Sequence, residues 1–168
     1  MTEQNNPFHK KKSGVFFFKS SNPYEFYDLL NGTDMEPKQD VWGTLIFPEN
    51  GKFPCPVIVP IHGSAGLREG HHTHMVNLLE AGFAVFRIHH FESRGVISIV
   101  ENQTQITLAT MITDAFRALA LLNKHPDIDK DKIGIMGWSL GGSTALYSAW
   151  QPIICLLYTS PSPRDRSL

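Results

Sequence analysis

The residues best suited to chemistry are Gly137-Trp138-Ser139-Leu140-Gly141, which fit the pattern G-x-S-x-G. An apolar run, residues 133–136, stands immediately before them, and a helix-compatible stretch, residues 143–150, follows. In that setting the serine occupies a cramped strand-to-helix turn, and glycines two residues to either side relieve the crowding. The turn holds the hydroxyl clear of the sheet and beside a helix N-terminus, whose unpaired N–H groups and dipole favour negative charge. Those are the requirements of a serine nucleophile.

A second loop, His62-Gly63-Ser64-Ala65-Gly66, follows another apolar run, residues 57–61. Acyl transfer needs two main-chain donors for the oxyanion, and small residues let a loop come close to the substrate. The amides of Leu140 and Ser64 are the expected donors, with Ala65 as the alternative to Ser64. His62 reads as structural. Losing one well-placed donor costs roughly 10² to 10³ in turnover.

The mechanism also needs a base and an acid that orients it, in the chain order Ser, Asp/Glu, His. After Ser139 the sequence holds one acid, Asp165, and no histidine; all eight histidines lie between His9 and His125. His89 and His90, ending an apolar run, are candidates to line a substrate pocket, with simple packing as the alternative. Arg94 could meet a substrate carboxylate through its planar fork; a salt bridge to Glu92 or Glu101 is the other reading. Asp114 and Arg117, three apart on a helix, are expected to form an exposed pair. His71, His72 and His74 cluster, but the sequence identifies no third metal ligand. Trp138 reads as packing or as an acyl-pocket contact, and Cys55 as a small buried thiol.

These residues must be positioned by alternating strands and helices. Residues 15–19 and 41–47 read as opening strands, with a short helical turn at 24–30 ended by Asn31-Gly32. From residue 54 onward short apolar runs at 57–61, 84–89 and 133–136 alternate with helices, the pattern of crossover units on a parallel sheet. Leu108, Ile112, Ala115, Leu119 and Leu122 draw one apolar stripe along a helix over 104–123, and a shorter helix spans 72–80. Pro60 fits an inner strand poorly, because it removes a ladder donor.

Composition narrows the class further. With 15 Lys and Arg against 16 Asp and Glu, the net charge of −1 excludes a strongly basic nucleic-acid binder. Hydrophobic residues at 42% and charged residues at 18% describe a globular chain. Cys55 and Cys155 cannot build a disulfide framework and stand in no zinc spacing. No apolar run approaches the ~20 residues of a membrane span, and no export signal is visible. The expected location is cytoplasmic, with no cofactor, nucleic acid or membrane as partner.

Taken with Ser93-Arg94-Gly95 after the second apolar strand and Asp127-Ile128-Asp129 leading into Ile133-Gly134-Ile135-Met136-Gly137, the two loops resemble the dienelactone-hydrolase-like branch of the α/β-hydrolases over about residues 40–150. The resemblance implies the α/β-hydrolase fold, a mostly parallel sheet with helices on both faces. It also implies a Ser, Asp and His triad that hydrolyses a small-molecule ester or lactone without a metal. Namesake dienelactone hydrolases carry cysteine where Ser139 stands, which favours a general carboxylesterase. The competing expectation is a non-catalytic α/β module used for binding or assembly.

The final residues, 159–168, are polar and proline-spaced and offer the sheet no strand. They resemble adapter-derived ends of translated fragments. The expected organisation is a polar lead-in over 1–12, a partial hydrolase domain over 13–154 truncated after the nucleophile-elbow helix, and a non-native or disordered tail over 155–168.

Overall fold

The computed structural model describes residues 13–33 and 36–158, so the lead-in and the tail from 159 onward lie outside the described residues. Five strands form one sheet in the order β1-β2-β4-β3-β5. The inner strand β3 (Cys55–Ile61) is flanked in parallel by β4 (Ala84–Ile88) and β5 (Ile128–Gly137). The opening strands β1 (Gly14–Ser20) and β2 (Gln39–Ile46) extend the sheet antiparallel beyond β4. The parallel part is therefore the one expected from the continuous apolar runs, and the complete described sheet is mixed.

Pro60 finds a place in the inner strand for a geometric reason. The Ile61 carbonyl accepts from Trp138 on the β5 side. Backbone polar groups alternate along a strand, so the nitrogen of Pro60 faces the β4 side. There the ladder consists of Val57↔Ala84 and Ile58↔Val85 and stops before Pro60. The missing donor has no ladder partner to deprive.

Five α-helices flank the sheet: α1 (Phe26–Asn31), α2 (Glu69–Glu80), α3 (Leu108–Leu122), α4 (Leu140–Ser148) and α5 (Gln151–Tyr158). Thr107 starts α3, its hydroxyl accepting from the Thr110 amide at 3.2 Å, so the helix begins four residues later than its apolar spacing suggests. One side of α3, with Met111, Ala115, Ala118 and Leu122, packs on Val57, Val59, Ala84 and Phe86 of the sheet. Another, with Ala109, Ile112 and Phe116, packs on Leu29 of α1 and Ile153 of α5. A single apolar stripe underestimates this helix because it is covered from two directions.

The opposite face of the sheet carries α2 against β4, where Val85 is fully buried. It leaves β1 and β2 open, with Phe17 71% exposed. Helix α5 continues through Cys155, the residue at which the sequence reading starts its tail. Among the described residues no helix is long and apolar enough to cross a membrane.

Candidate active site

Strand β5 ends at Gly137, α4 begins at Leu140, and Ser139 forms the bend between them with φ 54° and ψ −120°. It is the one non-glycine residue with positive φ among the described residues. Such a conformation costs about 1–3 kcal/mol and persists only where the surroundings impose it. The surroundings here are tight. A Cβ on Gly137 would collide with the Gly141 carbonyl, and one on Gly141 with the Ile61 carbonyl, so both glycines are required by space rather than by dihedral angle. The Gly141 amide closes the bend on the Trp138 carbonyl at 2.9 Å, and the Ser139 side chain stands exposed.

The loop after β3 lies against this bend. A Cβ on Gly63 would stand 3.0 Å from both Ser139 Cβ and the Trp138 carbonyl, and 3.6 Å from Ser139 Oγ. The Gly63 carbonyl accepts from the Gly66 amide at 3.0 Å and from His62 Nδ1 at 2.9 Å. The Ser64 carbonyl accepts from the Ile99 amide at 2.8 Å and from Ser98 Oγ at 3.3 Å. By contrast, the amides of Ser64, Ala65 and Leu140 donate to no acceptor among the described residues. The fold thus sets Gly63, the residue before Ser64, against Ser139 and the start of α4 at Leu140.

His62 is 3% exposed, and burial first, then the neighbouring His90, pushes its pKa down to about 4. Its ring packs edge-on against Phe91 at 4.4 Å and His90 at 5.8 Å, in keeping with a structural role. His71 stacks on Trp138 at 4.2 Å, and His74 lies 5.7 Å from the same ring. Trp138 is therefore packed beneath the α2 histidines. Among the described residues no three His, Cys, Asp or Glu side chains gather where a metal could sit. Cys55 is buried, and desolvation raises its thiol pKa.

His89 and Arg94, expected to line a substrate pocket, are both engaged with other residues of the protein. His89 stacks on Trp42 at 5.6 Å, its Nε2 is 2.8 Å from Thr44 Oγ1, and its Nδ1 faces Glu92 at 3.5 Å. Strand alternation puts it on the open face with Trp42 and Thr44. Arg94 grips Asp114 with both terminal nitrogens, at 2.8 and 2.9 Å, and donates to the His90 carbonyl and to Asn22. Its ion-pair partner is thus neither Glu92 nor Glu101.

Asp114 is also the residue that sequence spacing placed wrongly. It is fully buried, accepts from Ser20 Oγ at 2.5 Å and His90 Nδ1 at 2.8 Å besides Arg94, and makes no exposed pair with Arg117. Burial pushes its carboxyl pKa up, but the bonds from His90 and Arg94 outweigh that and hold it below the usual carboxylate range. A signal was available: Met111, Asp114, Ala115 and Ala118 share the inner face of α3.

No curated protein matches the chain. Among solved structures, Est1E from Butyrivibrio proteoclasticus with ferulic acid bound is 24% identical, with a TM-score of 0.53 over 66% of this chain and 43% of its own. A dienelactone hydrolase from Anabaena variabilis is 19% identical, with a TM-score of 0.55 over 80% of this chain and 57% of its own. The 2,6-dihydroxy-pseudo-oxynicotine hydrolase is 25% identical, with a TM-score of 0.53 over 66% of this chain and 30% of its own. The chain spans between 30% and 57% of the length of these structures, which share its α/β-hydrolase fold. A family model, BD-FAE, matches residues 44–152. That stretch runs from β2 through the bend at Ser139 into α5, and by it the chain belongs to the BD-FAE family of α/β-hydrolases.

Proposed function

We propose that this chain carries the nucleophile and oxyanion site of a serine-dependent carboxylic ester hydrolase. The observation that carries the reading is the positive φ of Ser139, imposed on an exposed serine between a strand end and a helix start. Ser139 Oγ attacks the ester carbonyl carbon and gives up its proton to a base. The carbonyl electrons move onto oxygen, which accepts hydrogen bonds from the amides of Leu140 and Ser64, with Ala65 the alternative to Ser64. The intermediate collapses with loss of the alcohol, and water releases the acid from the acyl-enzyme.

The substrate class is a small-molecule ester or lactone. The ferulic acid held by Est1E makes a ferulate ester a sensible first probe. The acting unit is the domain over residues 13–154, located in the cytoplasm. No histidine follows Ser139 in the sequence, so turnover by these 168 residues is expected to be weak. A site lacking one triad member retains roughly 10³ to 10⁴ over water.

The test is hydrolysis of p-nitrophenyl acetate, with and without imidazole supplied as an external base. Above the release that imidazole causes without protein, the expected result is slow, imidazole-stimulated release of p-nitrophenolate that disappears in Ser139→Ala. Equal rates for both proteins overturn the reading and favour a non-catalytic module.

A further inference from the structure

We propose that Asp114, acting through Arg94 and residues 95–99, is a positioning residue for the oxyanion loop. This rests on the reading of Ser139 and Leu140 given above, with Ala65 as the loop's donor, and it assigns Arg94 a task other than holding substrate.

A trans peptide is planar, so its carbonyl and N–H point in opposite directions. Holding the Gly63 carbonyl therefore aims the Ser64 amide, and holding the Ser64 carbonyl aims the Ala65 amide. The first carbonyl is held from within the loop, by Gly66 and His62. The second is held from outside it, by the Ile99 amide and the Ser98 hydroxyl. Residues 95–99 thus hold the peptide plane that aims the Ala65 amide, the loop's alternative donor.

That hold depends on its root. Ile97 is 88% exposed and anchors nothing through its side chain, although its carbonyl closely approaches the Gly66 Cα, where a Cβ would meet it at 2.6 Å. Ile99 and Val96 are buried, and the Val96 amide bonds the Phe91 carbonyl. Gly95 turns the chain with φ 69°, directly after Arg94. Arg94 is itself pinned by the two bonds to Asp114 on α3, whose carboxylate also takes Ser20 of β1 and His90 beyond β4. One buried carboxylate consequently fixes the start of the segment that grips Ser64. A bidentate pair of this kind sets orientation as well as distance.

The test compares wild type with Arg94→Met, Arg94→Lys and Asp114→Asn in the full chain, using a p-nitrophenyl alkylphosphonate with imidazole as external base. Ser139 Oγ bonds to phosphorus, p-nitrophenolate leaves with the bonding pair, imidazole takes the serine proton, and the phosphoryl oxygen occupies the oxyanion site. The expected result is a saturating labelling rate about tenfold lower in Arg94→Met and Asp114→Asn, with the half-saturating concentration unchanged and an intermediate rate in Arg94→Lys. This expectation stays below the roughly 10² to 10³ for outright loss of a donor. Amide exchange is expected to quicken at Ile99 and Gly66 while Val57 and Ile135 keep wild-type rates.

Wild-type labelling rates in Arg94→Met, or exchange that quickens equally throughout the sheet, overturn the proposal. If wild type and Ser139→Ala label alike, the serine reading fails instead, and exchange at Ile99 alone then decides whether residues 95–99 are anchored at Arg94. Should Asp114→Asn not fold, the two Arg94 variants carry the comparison.

Discussion

The bend at Ser139 and the buried group around Asp114 are two polar features set against this apolar framework, and they are built in opposite ways. At Asp114 a carboxylate is sealed from water, and its two oxygens accept four hydrogen bonds from Ser20, His90 and Arg94. At Ser139 the hydroxyl is exposed, the backbone is strained, and the amides of Leu140 and Ser64 find no acceptor among the described residues. A saturated polar group spends its bonding capacity on holding elements together. An unsaturated, strained one keeps that capacity for a ligand. The difference separates framework from site more sharply than residue type does.

The largest effect is expected from emptying the saturated group. Asp114→Ala leaves the Arg94 guanidinium, itself mostly buried, without its partner, which costs about 3–5 kcal/mol. Urea denaturation checks this; a loss under 1 kcal/mol would mean the group contributes little. The next effect belongs to His62. The folded chain keeps this ring neutral down to about pH 4, whereas an unconstrained histidine titrates near 6.5. Between those values the unfolded chain binds the extra proton, so stability falls as pH drops from about 6.5 towards 4 and levels off below that. The fall contributed by this ring is at most about 3 kcal/mol, and His62→Gln is expected to flatten the pH dependence measured by denaturation at a series of pH values.

Two smaller changes sharpen the contrast at the bend itself. Gly141→Ala forces a methyl against the Ile61 carbonyl, where only backbone can give way, at about 2 kcal/mol. Ser139→Gly works in the other direction. Removing the side chain releases the positive-φ strain, and a gain of about 1 kcal/mol in thermal or urea stability is expected while the nucleophile is lost. A destabilised Ser139→Gly would show that the bend is not under strain.

The bend was legible in the sequence because the signals that mark it are contiguous: an apolar strand at 133–136, G-x-S-x-G over 137–141, and a helix start at Leu140. The parallel strands were legible for the same local reason, and Pro60 was tolerable only because the β4 ladder ends before it. Asp114 was not legible from pair spacing alone. Its partners Ser20, His90 and Arg94 lie 94, 24 and 20 residues away, and the i, i+3 rule proposes Arg117 from the same helix. His89 and Arg94 stand near a strand end, where ligands bind in open α/β sheets. Strand alternation turned one to the open face, and a distant carboxylate captured the other. The antiparallel pairing of β2 with β4 is likewise a long-range choice that no local run encodes.

The central claim is that Ser139 is the reactive hydroxyl, and adduct mapping with a fluorophosphonate tests it most directly. After prolonged incubation, peptide mass spectrometry is expected to find one adduct per chain, on Ser139, and none in Ser139→Ala. An adduct distributed over other serines, or one that survives the substitution, would contradict the account.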